Sequence, residues 1–141
     1  MIRKKLRYLC LWIVLLSLSS CESNNNNDAD ITNRIIGEWQ LDSRLEDGNE
    51  TTTTCTKKTS FSFGNDSILK QTFYTENLEG CTSEPQKIFS WLSLGNSKYR
   101  IESPGGVANT YEFNFTENDT KFSVVNILEN ETAVVFTFIK K

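Results

Sequence analysis

The sequence predicts an all-β domain folded as an eight-stranded antiparallel up-and-down barrel. Three observations carry that expectation. From residue 34 onward apolar and polar residues alternate with a period of two, and no stretch keeps a convincing 3.6 period over ten residues. The alternating segments number eight, and most are joined by short turns of Gly, Asn, Asp and Glu. Their apolar positions are largely aromatic, and closure removes the edges that such strands would otherwise expose to aggregation.

The first segment, IIGEWQLDSRL (35–45), places Ile35, Gly37, Trp39, Leu41 and Leu45 on one face. KKTSFSF (57–63) sets Thr59, Phe61 and Phe63 against Lys58, Ser60 and Ser62. Gly64-Asn65-Asp66, residues that tolerate tight geometry, turn the chain into SILKQTFYT (67–75). QKIFSWLSL (86–94) follows, then a Gly95-Asn96 turn and KYRIE (98–102). After the loop SPGGVAN (103–109), TYEFNFT (110–116) alternates Tyr111, Phe113 and Phe115. Glu117-Asn118-Asp119 leads into TKFSVVNIL (120–128), and Glu129-Asn130-Glu131 into TAVVFTFIKK (132–141). A barrel of about eight strands is just wide enough to be filled by side chains or to hold one small ligand. Phe61, Phe63, Phe73, Trp91, Tyr111, Phe113 and Phe115 are therefore candidate ligand-facing residues, with plain core as the competing role.

The N-terminal 33 residues have a different character. Arg3, Lys4, Lys5 and Arg7 precede the apolar stretch YLCLWIVLLSLS, too short for the roughly 20 residues of a membrane span and suited to a secretory signal peptide. It ends Leu18-Ser19-Ser20-Cys21, which resembles the bacterial lipobox: an aliphatic residue, two small residues and the cysteine whose thiol receives a diacylglycerol. The resemblance implies a signal peptide over 1–20, cleavage before Cys21, and acylation of that residue with chains such as palmitate. ESNNNNDADITN, lacking any apolar pattern, reads with Cys21 as a lipidated tether over 21–33, followed by the folded domain over 34–141. Stable anchoring needs more than one acyl chain, which such a modification supplies. The expected location is the outer membrane of a Gram-negative bacterium, facing the periplasm or the surface.

Composition narrows the chemistry. The chain carries 15 Lys+Arg against 18 Asp+Glu, and loss of the four signal-peptide cations leaves 11 against 18, a net charge of −7. That balance, without any Lys/Arg stripe, argues against nucleic acid as a partner. There is no histidine, so Ser–His–Asp and Cys–His catalysis are excluded, as are the commonest metal ligand and pH switch. With Cys10 in the signal segment and Cys21 lipidated, Cys55 and Cys81 remain, and in an exported chain they most simply form one disulfide. A redox role would call for a close reactive pair such as C-x-x-C. No metal site, no cofactor and no enzymatic activity are expected.

Gly37-x-Trp39 at the start of the first strand resembles the lipocalin G-x-W motif. The order of features that follows is similar to the lipocalin-like domains of bacterial lipoproteins: Cys55 before the Phe61-Ser62-Phe63 strand, Cys81 in the next loop, the Trp91 strand ending in Gly95-Asn96, and a threonine-rich aromatic last strand. The resemblance spans roughly 34–141. It implies that Gly37 and Trp39 form the barrel-closing motif, with Trp39 plugging one end. In lipocalins an arginine of the last strand packs on that tryptophan. Here the last strand ends Ile139-Lys140-Lys141, so Lys140 is the replacement cation, with Arg34 and Arg44 as other candidates. The expected function is a membrane-anchored module binding a small apolar or amphipathic ligand. The alternative is an interaction or inhibitor lipoprotein of the envelope with a packed, ligand-free barrel, whose contact surface would be the 46–57 and 76–85 segments stapled by Cys55 and Cys81. No particular protein partner is indicated.

Overall fold

Strands bearing inward rings at every second position have one economical way to hide them, which is to curl until the last strand meets the first. The computed structural model describes residues 34–128 and 130–141 and shows that closure. The expected signal peptide, Cys21 and tether lie outside the described residues. In chain order the strands are β1 (Gly37–Glu46), β2 (Asn49–Glu50), β3 (Ser60–Phe63), β4 (Ile68–Thr72), β5 (Tyr74–Asn77), β6 (Gly80–Ser83), β7 (Lys87–Gly95), β8 (Lys98–Glu102), β9 (Ala108–Thr116), β10 (Lys121–Ile127) and β11 (Ala133–Lys140). A 3-10 turn covers Thr56–Lys58.

Eight of these strands, β1, β3, β4, β7, β8, β9, β10 and β11, pair antiparallel in that order, and β11 closes on β1. The closing register sets Trp39 opposite Lys140 and Leu41 opposite Phe138. The eight segments expected from alternation are these eight strands. One end of the barrel has the tight connections. Between β7 and β8, Asn96 (φ 51) and Ser97 (φ 61) form a two-residue turn with both central residues left-handed, the hairpin type that matches strand twist. The other end carries the long excursions, 47–59 and 73–86.

Two expectations need correction. A bulge between Leu41 and Ser43 shifts the register of β1, so Arg44 lies opposite Phe136 and Leu45 opposite Val135. Slipping by one residue turns the strand over, and Leu45 leaves the inner face to which alternation assigned it. The segment 67–75 is also not one strand. Its ladder with β7 ends at Gln71, the chain leaves the barrel at Phe73, and Tyr74–Asn77 pairs with Gly80–Ser83 as a separate hairpin where a loop was expected. Neither face of that hairpin is buried, so it carries no alternation to read.

The expected disulfide is present. Cys55 and Cys81 are joined with their Cα atoms 5.4 Å apart, tying the hairpin tip region to the 3-10 turn across 26 positions of sequence. Around it Glu84 N–H donates to Phe73 O and Tyr74 N–H donates to the Thr59 hydroxyl, so the hairpin is also pinned at its base.

Candidate functional site: an aromatic cavity at the open end

The tight-turn end is sealed by large side chains. Trp39 is fully buried, and its indole N–H donates to Ile35 O at 2.7 Å. Lys140 lays its ammonium 5.2 Å from the Trp39 ring centre and donates to Arg34 O. Lys140 is thus the cation on the tryptophan. Arg34 instead sits 4.7 Å over the Phe115 ring, paired with Asp119 at 3.2 Å and bonded to the Ser97 hydroxyl. Arg44 lies at the opposite end, over Phe136 and in an ion pair with Glu46.

Gly37 shows why the motif needs glycine. Its φ of +129° is a conformation that L side chains rarely adopt, and a Cβ there would stand 3.1 Å from Lys140 Cε. The missing side chain leaves room for the lysine stem to reach the tryptophan. Tyr99 is buried near this plug. Burial pushes its hydroxyl up to about 12, with Asp119 adding to the effect and Arg34 opposing it.

Above the plug the rings form a row. Phe61 stacks on Phe138 at 4.4 Å, Phe138 on Phe122 at 5.1 Å, Phe122 on Phe113 at 4.7 Å and Phe113 on Tyr99 at 5.0 Å. Near-parallel rings at these separations attract beyond their burial. The row crosses the barrel as a floor.

On that floor opens a cavity of about 220 Å³. Ile101, Phe113, Val124 and Phe138, all buried, lie at its base. Half-buried Phe61, Phe73, Phe89, Tyr111 and Phe136 form its walls, with the amides of Gln71 and Asn126 among them. No charged residue lines it among the described residues. A second depression of about 230 Å³ lies among Ser60, Ser62, Lys70 and Thr72, and its walls are mainly polar.

Of the seven candidate ligand-facing residues, the structure brings Phe61, Phe73, Tyr111 and Phe113 to this cavity. Phe63, Trp91 and Phe115 do not line it. Phe63 and Phe115 end their strands beside the tight turns, so they pack below the floor, Phe63 edge-on to Trp91 and Phe115 against Trp39. The residues that sequence reading did not single out are Gln71, Phe89 and Ile101, and from the last two strands Val124, Asn126, Phe136 and Phe138. Most share the same two-residue alternation. Distance from the short turns is the additional signal that would have separated Phe63 and Phe115 from the lining residues, but not Trp91, which pairs with Ile101 of the recess.

A family model described as a lipocalin-like domain matches residues 35–124, from just before the Gly37-x-Trp39 motif to the middle of β10. The chain belongs to the lipocalin-like domain family. The match covers Gly37 and Trp39 of the plug and most of the cavity wall of this lipocalin-like barrel, leaving β11, with Phe138 and Lys140, outside. No curated protein matches the chain.

Among the described residues no group of three or more His, Cys, Asp or Glu stands close enough to hold a metal ion. No described helix is long and apolar enough to cross a membrane. What the arrangement offers chemically is therefore an apolar, ring-walled recess with two amides and a flanking ion pair.

Proposed function

We propose that the protein is a lipid-anchored lipocalin-like lipoprotein of the outer membrane that binds a small apolar or amphipathic ligand in the open half of its barrel, without catalysing a reaction. The cavity between the ring floor and the long excursions is the observation that supports it. A concave, mainly apolar recess with a few convergent polar groups is the usual form of a small-molecule site. The plug does the opposite job and keeps the barrel shut at one end. Lipidation at Cys21 supplies the anchor, supported by the lipobox-like Leu18-Ser19-Ser20-Cys21 and the polar tether behind it.

Native mass spectrometry of the protein purified gently from producing cells tests the binding half. A reproducible extra mass lost on denaturation is expected, and bare polypeptide in repeated preparations would count against it. Replacing Cys21 with serine tests the anchor: fatty-acid labelling and membrane association should both be lost, and a variant that stays on the membrane would refute it.

One feature favours a second reading, that of a protein-interaction module. The disulfide joins the two long excursions at the open end, and the β5–β6 tip carries a fully exposed Leu78. A pre-ordered surface lowers the cost of docking. Crosslinking in cells that captures one reproducible partner through the hairpin, with no ligand mass found, would make this the better account.

A further inference from the structure

We infer that the ligand is a small planar aromatic molecule of one or two rings, uncharged at its buried end and carrying a hydrogen-bonding group that Gln71 and Asn126 read. This rests on the reading above, that the cavity holds a ligand at all, and it narrows that reading to a chemical class.

Size comes first. The cavity's volume is about 220 Å³. It lies below the roughly 300–1,000 Å³ of sites for drug-sized ligands. A long acyl chain would have to run deeper, and the floor blocks it. Phe138, Phe122 and Phe113 cross the barrel in stacked contact, and Trp39 meets Phe122 edge-on at 4.7 Å beneath them. Trp39, Phe122 and Phe138 are almost fully buried, so the recess ends at the rings.

Shape comes next. Phe61 lies at one end of the stacked row and also meets Phe73 edge-on at 5.7 Å. Phe61, Phe73 and Phe113 all line the recess, and the faces of Phe113 are taken by Phe122 and Tyr99. A flat ring can stack on or meet edge-on such walls, and gains contacts that a flexible chain does not.

Polarity completes the class. Gln71 on β4, half-buried, and Asn126 on β10, exposed to solvent, line the same recess from different walls, and among the described residues neither side-chain amide makes a hydrogen bond, so both are open to an occupant. Each amide offers both donors and an acceptor. An occupant that displaced their water without replacing its hydrogen bonds would lose affinity. A charge buried among these walls would have no counter-charge, since Arg44 near the rim is already paired with Glu46.

Isothermal titration calorimetry on the full chain tests this with three probes: indole-3-carboxamide, the apolar isostere 3-ethylindole, and tetradecanoate. Indole-3-carboxamide should bind at least tenfold more tightly than tetradecanoate and at least fivefold more tightly than 3-ethylindole. Gln71→Met and Asn126→Leu should each weaken the carboxamide fivefold or more, with near-UV circular dichroism confirming that the rings stay packed. The comparison with 3-ethylindole reads the same hydrogen bonds without any substitution, so a variant that fails to fold does not decide the matter. Equal binding of the two indoles would overturn the role given to the amides. Tighter binding of tetradecanoate would overturn the aromatic class and leave a ligand-binding barrel standing. Silence with all three probes overturns the class; if native mass spectrometry also finds bare polypeptide, the binding reading falls with it.

Discussion

Gly37, Trp39 and Lys140 form a three-residue device in which each member explains the others. Trp39 needs a cation-bearing stem over its face, Lys140 needs space to cross the strand, and Gly37 provides it by having no Cβ. Trp39→Ala removes a fully buried ring that packs against Phe122 and Phe115, and should cost about 3–5 kcal/mol in chemical denaturation. Gly37→Ala should cost about 1–3 kcal/mol, because alanine is forced into a backbone region almost reserved for glycine. A parent-like midpoint for both variants would mean that the plug does not hold the barrel shut. Tyr99 makes a prediction in pH. Its hydroxyl ionises near 10 in the unfolded chain and near 12 in the folded one, so the folded state favours the neutral phenol. The stability this contributes is complete below pH 10 and is lost as pH rises from about 10 to about 12. Followed from pH 9 to 12, the denaturation midpoint of the parent should fall relative to that of Tyr99→Phe across that window. Parallel profiles would place the Tyr99 hydroxyl in water.

At the scale of elements, legibility depended on burial. The eight barrel strands each bury one face, so the two-residue period wrote them into the sequence. The β5–β6 hairpin buries neither face and left no such trace. The β1 bulge was hidden for a different reason: a one-residue slip changes no composition, yet it turned Leu45 out and brought Arg44 and Glu46 round beside Phe136. Phe61, Phe73, Tyr111 and Phe113, which line the recess, and Phe63, Trp91 and Phe115, which do not, share the same residue types and the same alternation. Position relative to the turns separates Phe63 and Phe115, though not Trp91, from the lining residues, and that depends on which end of the closed barrel is open. The cysteine pair was legible through elimination among four cysteines. Replacing both Cys55 and Cys81 with alanine should cost about 3–4 kcal/mol on the chain-entropy model for a loop of this length. The hairpin should lose amide-exchange protection first, while the barrel ladder keeps its own. Equal loss of protection in β3 and β10 would show that the bridge holds the barrel itself.

At the scale of the whole molecule, the barrel is asymmetric along its axis. One end has tight turns, a tryptophan plug and the Arg34–Asp119 and Lys140 contacts; the other has long excursions, a disulfide and the recess. Between them the row of stacked rings is both core and floor, so the packing that stabilises the fold also sets the depth of the site. The central claim is that the upper half is open space bounded by rings rather than filled by them. Xenon uptake by crystals of the protein tests it most directly, since xenon enters apolar cavities and leaves filled cores alone. The account predicts xenon, or a small molecule already in place, bounded by Phe61, Phe113 and Phe136. Wall side chains folded inward over the floor, with no occupant among them, would contradict it.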